Sequence, residues 1–269
     1  MKRISVIYNP EKSAAVNTVK QIISWGKRKK LSIKAYTPKE QIPGSDLCIV
    51  AGGDGTILHA VRKTCKYNTP ILGINIGRLG FLAEFDSNHN ITGFLNRVIN
   101  NDYTFQKRLL LDIEFKKKHY TAVNDFILHS NQTTRALLLN LKINKEPVTE
   151  YAADGIIVST PTGSTAYSLA ANGPIVHPTL PVLIITPVCP HTLSQRPIIV
   201  SGNNTEISVS LSKTRAHQTG LISIDSQEIL QFNNNDTAII KKSKYTFRLI
   251  THPERNYYNI LRNKLGWGK

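Results

Sequence analysis

Cysteine is scarce in this chain. Cys48, Cys65 and Cys189 are the only three in 269 residues, scattered without the spacing of a zinc site or a disulfide framework. That usage points to a reducing compartment. Acidic residues are also short, 18 against 34 lysines and arginines, which leaves a net charge of +16. No apolar run reaches the length needed to cross a bilayer. The opening Met1-Lys2-Arg3-Ile4-Ser5-Val6-Ile7-Tyr8 carries positive charge as a signal peptide does, but its apolar stretch stops at Asn9-Pro10 without a small-residue cleavage site. These shortages predict a soluble cytoplasmic protein with no membrane partner. There is no internal repeat or low-complexity segment, no Gly-Lys-Ser/Thr phosphate loop and no protein-kinase signature.

What is present is ordinary globular composition, 41% hydrophobic and 19% charged. The length allows one large domain or two modest ones. The excess of positive charge permits nucleic-acid binding and equally suits a small polyanionic substrate. The basic clusters Lys27-Arg28-Lys29-Lys30, Lys116-Lys117-Lys118 and Lys241-Lys242 are dispersed, and none alternates with aromatic residues. They read as solvated helix ends and hairpin loops, not as a single-strand stacking platform. No specific nucleic-acid partner is expected.

The hydrophobic period changes along the chain. In the first hundred residues, strand-like runs (Arg3 to Tyr8, Leu47 to Ala51, Pro70 to Ile76) alternate with helical spacing. The helical segments place Val16, Val19, Ile22 and Ile23 on one face, then Leu58 with Val61, then Phe94, Leu95 and Val98. That order predicts an α/β layer with a mainly parallel sheet. From about Leu109 the period becomes two: Leu109, Leu111, Ile113 and Phe115; Ile207, Val209 and Leu211; Tyr245, Phe247 and Leu249. Further strands are expected at 136–139, 182–185 and 197–200, so the second part reads as a mostly β, sandwich-like domain. The expected division is an α/β domain over 1–108 and a β-rich domain over 109–252. A C-terminal helix within 253–269 would pack back on the first domain, with Tyr258, Leu261 and Leu265 on one stripe.

The densest signal is Gly52-Gly53-Asp54-Gly55-Thr56, between the apolar run Leu47 to Ala51 and a helical segment. A strand entering a helix through glycines is an anion site, because amide N–H groups and the helix dipole point at the ligand. A carboxylate there opposes an anion, so Asp54 must serve another purpose. It accepts a proton, holds a metal ion or, most plainly, caps the helix. A second polar constellation is Asp154-Gly155, the apolar Ile156-Ile157-Val158, and Ser159-Thr160-Pro161-Thr162-Gly163-Ser164-Thr165 running on through Tyr167. Its hydroxyls offer donors to sugar and phosphate oxygens, and Tyr167 either stacks on a base or fills the core. Asn124-Asp125, set inside the strand-like Ala122 to Leu128, places two polar groups among apolar neighbours, and these need partners.

Taken together, Gly52 to Thr56, Gly73-Ile74-Asn75, Leu79-Gly80-Phe81-Leu82, Asn124-Asp125 and Asp154 to Tyr167 resemble the NAD kinases, in order and in separation. Pro190-His191-Thr192-Leu193, Arg196-Pro197, Asp225-Ser226-Gln227 and Lys264-Leu265-Gly266-Trp267 are similar to that family too. The likeness covers nearly the whole chain and is strongest to bacterial members. The glycine motif is shared with diacylglycerol kinases and phosphofructokinase-like enzymes; the block from Thr160 to Tyr167 is more specific. The resemblance implies a two-domain fold and Mg²⁺-dependent transfer of the ATP γ-phosphoryl group to the 2′-hydroxyl of the adenosine ribose of NAD. It implies a general base at Asp54 and a phosphate loop of Gly52, Gly53, Gly55 and Thr56. It implies NAD contacts from Asp54, Gly55, Asn124, Asp125, Asp154, Thr165, Ala166, Tyr167, Ser168 and Ala170, and from Arg135, Thr162 and Gln227. His59, one turn along the helix, is either a phosphate contact or a surface histidine. Metal ligands are not identified, and homo-oligomers, dimers or tetramers, are implied.

Three positions depart from the family pattern: Asp125 replaces the usual glutamate, Ala152 a common arginine, and Ala170 a common serine. Two rival readings stand beside this one. A lipid kinase would need a long apolar acceptor pocket, and a non-catalytic NADP-binding protein would leave Asp54 repelling phosphate without a use.

Overall fold

A computed structural model of the chain describes residues 1–77, 80–83, 85–86, 90–131, 135–215, 217–252 and 256–267. It divides into two compact units, one made of Met1–Lys107 with Phe247–Lys269 and the other of Arg108–Thr246.

In the first unit the chain runs β1 (Arg3–Tyr8), α1 (Ser13–Arg28), β2 (Ser32–Tyr36), β3 (Leu47–Ala51), α2 (Asp54–Thr64), β4 (Pro70–Asn75), β5 (Phe85–Asp86) and α3 (Ile91–Ile99). Strands β4, β3, β1 and β2 lie side by side, every pair parallel. A parallel sheet covered on both faces needs apolar residues throughout its inner strands, and every residue of β3 and β4 is buried. On α1 the buried face is Ala15, Thr18, Val19, Ile22, Trp25 and Gly26, while Val16 and Ile23 are only half-buried. Val19 and Ile22 of the expected face are in the core and Ile23 packs against it, and the face also takes in Trp25, which donates from Nε1 to Asn96 Oδ1 at 3.0 Å. Strand β2 escaped the sequence reading since it is the sheet edge, with no run of fully buried residues.

Next in chain order, β6 (Thr104–Phe115) leads into the second unit, followed by β7 (Lys118–Ala122), β8 (Asp125–Ser130), β9 (Leu137–Ile143), β10 (Glu146–Ala153) and β11 (Gly155–Ser159). The short helix α4 (Tyr167–Ala170) precedes β12 (Val182–Val188), β13 (Ile198–Ser201), β14 (Glu206–Leu211), β15 (Thr219–Ile224), β16 (Glu228–Asn233) and β17 (Thr237–Thr251). One sheet has the order β13-β12-β11-β8-β15-β16, antiparallel throughout. Strands β10, β9, β14 and β17 form antiparallel neighbours in another. Alternate residues of both sheets share one core, including Leu111, Ile113, Phe126, Leu128, Leu139, Leu141, Ile156, Val158, Ile207, Val209, Ile222, Phe232 and Ile240. This is the face-to-face packing that the period-two pattern predicted.

Two details differ from expectation. The segment Ala122 to Leu128 is not one strand: β7 stops at Ala122, β8 starts at Asp125, and Val123-Asn124 make the turn between them. Lys27 to Lys30 do end a helix, and Lys116-Lys117 do form a hairpin turn, but Lys241 and Lys242 lie inside β17 and are half-buried.

The final helix, α5 (Tyr257–Leu265), groups with the first unit. Its buried residues are Ile260 and Leu261, whereas Tyr258 of the expected stripe is exposed. Residues 253–255, 268 and 269 of the expected C-terminal segment lie outside the described residues.

Candidate active site

In the first unit the glycine turn joins β3 to α2. The Gly52 N–H donates to Ile74 O at 2.9 Å, and a methyl group at Gly52 would collide with the Thr56 side chain. Glycine is therefore required there by space. Gly53 is the residue that caps α2, with no side-chain cap bond, and its carbonyl accepts from the Thr56 and Ile57 N–H groups at 3.0 and 3.2 Å. Asp54 is thus the first helical residue and not the helix cap that the plainer reading gave it. Its carboxylate instead accepts from the Phe81 N–H at 2.8 Å and the Leu82 N–H at 3.1 Å, one bond to each oxygen. A side chain at Gly80 would strike that carboxylate. The Gly80-Phe81-Leu82 segment of the motif thereby gains a physical meaning: it clasps Asp54. Leu79 of the same motif lies outside the described residues.

Around this turn Gly55 is exposed, while Thr56 and His59 are half-buried. Asn75, at the end of β4, is 2% exposed and donates from Nδ2 to Gly77 O at 3.0 Å, while its Oδ1 has no hydrogen-bond partner. The positive end of α2 beside a fixed carboxylate can hold an anion and take up a proton.

The second unit gathers the other constellation. A cavity of about 590 Å³ is lined by residues that include His129, Ser130, Asp154, Tyr167, Ser223 and Ser226. Asp154 is exposed at the junction of β10 and β11. Its N–H donates to Val188 O at 3.0 Å, and its carbonyl accepts from the Ser130 N–H at 2.8 Å. Tyr167 is 45% exposed and lines this cavity, so it is not a core side chain. The turn before it is locked internally. Ser164 Oγ donates to Pro161 O at 2.7 Å and accepts from the Val176 N–H at 3.1 Å. Thr165 and Ala166 are half-buried and Ala170 is exposed. Thr162 is 6% exposed, with its hydroxyl unpartnered. Ser168 is fully buried, and its hydroxyl pairs with Thr186 Oγ1 at 3.0 Å.

The Val123-Asn124 turn sits against this block. Thr160 Oγ1 donates to Val123 O at 2.6 Å and the Thr160 N–H donates to Asn124 O at 2.9 Å. Gly163 faces the Asn124 carbonyl so closely that a methyl could not fit. Asn124 remains half-buried. Asp125 is 2% exposed, and burial, with the nearby Asp225 carboxylate, pushes its carboxyl up to about 7.

Arg135 lines a different cavity, of about 440 Å³, together with Ala136, Ala152, His191 and Arg215. Gln227 closes the β15–β16 turn through its N–H to Ile224 O at 2.9 Å. The structure therefore brings Asp154 and Tyr167 to one cavity, sets the Asn124 turn against Thr160 and Gly163, and places Arg135 apart with a second arginine. Sequence reasoning missed Arg215, His129, Ser223 and the roles of Thr160 and Asp225. A carboxylate directly following the alternating apolar run Ile222 to Ile224 was the available signal for Asp225.

Residues 4–103 match the ATP-NAD kinase N-terminal domain, and residues 123–252 match the ATP-NAD kinase C-terminal domain. A NAD kinase from Magnetococcus marinus is 40% identical over 88% of this chain and 79% of its own length. The chain belongs to the NAD kinase family. Another NAD kinase, from Mannheimia succiniciproducens, is 37% identical over 100% of this chain and 95% of its own. Among solved structures, yeast NADH kinase complexed with NADH is similar with a TM-score of 0.82 and 25% identity, covering 100% of this chain and 89% of that one. An NAD kinase from Archaeoglobus fulgidus in complex with ATP gives 0.76 at 25% identity, covering 98% and 97%.

Proposed function

We propose that this NAD kinase transfers the γ-phosphoryl group of ATP to the 2′-hydroxyl of the adenosine ribose of NAD, with Asp54 as general base. The observation that carries this reading is the Asp54 carboxylate, fixed by two amide donors at the start of a glycine-lined helix. A carboxylate accepting one N–H bond on each oxygen retains further acceptor positions for an incoming hydroxyl. Gly52, Gly53, Gly55 and Thr56 would bind the phosphates of ATP, with His59 a turn further along the helix. In the second unit, Asn124, Asp154, Thr165, Ala166 and Tyr167 would hold the NAD adenosine. The buried Asp125 and Ser168 would shape that pocket more than touch the ligand, and Thr162, Ala170, Arg135 and Gln227 complete the proposed set.

Among the described residues no group of three or more His, Cys, Asp or Glu could hold a metal ion. Mg²⁺ is proposed as the cation that accompanies ATP. Phosphoryl transfer needs mainly positioning and charge neutralisation. The Tyr167 cavity sets Asp154, Ser130, Ser223 and Ser226 beside Ile127 and Val188, a mixed lining that suits a nucleotide better than it suits an acyl chain alone.

A homo-oligomer, dimer or tetramer, is proposed as well, since Leu193, Ile229 and Ile199 are 90%, 70% and 50% exposed on the second unit. Light scattering measures it directly. No described helix is long and apolar enough to cross a membrane, and a soluble cytoplasmic location is proposed with it. The deciding experiment incubates purified protein with ATP, Mg²⁺ and NAD and follows NADP through an NADP-specific dehydrogenase. Product from wild type and its loss in Asp54→Asn support the reading; no NADP from wild type, or full activity in the variant, overturns it.

A further inference from the structure

Asp225 is a buried carboxylate outside every role assigned so far. It occupies the turn between β15 and β16, where Asp225 and Ser226 both take left-handed backbone conformations at φ 51° and 55°. Non-glycine residues adopt that pair of conformations at a cost, although aspartate tolerates it better than most. At 4% exposure its side chain does not face solvent.

It faces the Val123-Asn124 turn. The carboxylate accepts from the Val123 N–H at 2.9 and 3.2 Å, from the Asn124 N–H at 2.7 Å and from the Asp125 N–H at 3.2 Å. The Asp225 N–H returns a bond to Asp125 O at 3.1 Å. Consecutive amides converging on one anion form a charge-assisted cradle, stiffer than a set of neutral bonds. On the other side of the same turn, Thr160 binds the Val123 and Asn124 carbonyls, and Gly163 closes against Asn124. The backbone of 123–125 is thus gripped from two directions, while the Asn124 side chain remains half-buried.

We propose that Asp225 is a positioning residue for phosphoryl transfer, setting the Asn124 side chain against the dinucleotide without touching the dinucleotide itself. This rests on the assignment of Asn124 to NAD. After burial, charge repulsion from Asp225 also pushes the Asp125 carboxyl up and disfavours its ionisation, as expected of two neighbouring carboxylates. A misplacement of about 1 Å in a substrate-holding group can reduce turnover efficiency by about a hundredfold.

Asp225→Asn is nearly isosteric but replaces one acceptor oxygen with an N–H₂ group that confronts the amides. In the full chain, its KM for NAD should rise by about tenfold or more, with the KM for ATP unchanged. In an Asn124→Ala background the same substitution should add nothing further, which a general structural role would not produce. A raised KM with Asn124→Ala but not with Asp225→Asn overturns the positioning role and leaves the NAD assignment standing. Asn124→Ala without effect overturns that assignment, and the proposal with it. If Asp225→Asn does not fold, Asp225→Glu, which keeps the charge but changes its reach, decides: a raised KM for NAD with the KM for ATP unchanged, absent in the Asn124→Ala background, supports the proposal, and an unchanged KM for NAD overturns it.

Discussion

Asp54 uses both carboxylate oxygens on backbone amides, so an asparagine there changes chemistry and structure together. Loss of the proton acceptor should reduce kcat by about 10² to 10⁴-fold, with the KM for NAD changing far less. The amide nitrogen would also face an N–H donor, so a stability loss of about 1–3 kcal/mol should accompany it, read from denaturant unfolding. Repeating the assay across Mg²⁺ concentrations separates the roles: rescue at high Mg²⁺ would make Asp54 a metal contact. Tyr167→Ala should leave unfolding unchanged, since the ring is 45% exposed, and raise the KM for NAD by an amount corresponding to about 1–3 kcal/mol of lost stacking. An unchanged KM would remove Tyr167 from the site. Asp125, pushed up to about 7, gives a pH signature. Between about pH 4 and pH 7 the folded protein keeps a proton that the unfolded chain has released, so stability from this group falls with rising pH and levels off above about 7. Asp125→Asn should flatten that slope, and equal pH 5-to-8 stability losses in variant and wild type would contradict it.

At the scale of elements, the hairpin joining β6 to β7 turns through Lys116 and Lys117, at φ 49° and 61°. Glycine suits the second position of that turn far better than lysine, so Lys117→Gly should stabilise by about 1 kcal/mol, visible as a raised Tm, while Lys116 keeps its ion pair with Asp236 at 3.0 Å. Most elements were legible in the sequence because their burial is periodic. The alternation of Ile207, Val209 and Leu211 marked β14, and the continuous Leu47 to Ala51 marked β3. What was not legible depends on partners distant in the chain. Nothing near Asp54 reveals that its carboxylate binds the amides of Phe81 and Leu82. Nothing near Asn124 reveals that Asp225 breaks the apparent strand by drawing three successive amides toward itself. Tyr258 was placed on a buried stripe by its spacing but is exposed, while Leu261 of the same stripe is buried beside Ile260 and Leu265 is half-buried.

For the molecule as a whole, the charge of +16 predicts weak binding to any nucleic acid, lost at moderate salt because dispersed lysines offer only counterion release. Fluorescence anisotropy with unrelated DNA and RNA sequences tests this, and sequence-selective binding at physiological salt would contradict it. Chain order matters at this scale too. The first unit is interrupted after Lys107 and resumed at Phe247, and Arg248 and Leu249 of β17 pair with β4 at the edge of its sheet. On the ribosome, every residue of the second unit is therefore made before the strand that completes the first. The half carrying Asp54 must wait with Pro70 and Ile71 of β4 lacking their β17 partners, although β5 already pairs with Ile74 and Asn75, while the later-made half can close first. Open sheet edges invite pairing with other chains, so nascent protein stalled before Phe247 should be the aggregation-prone form.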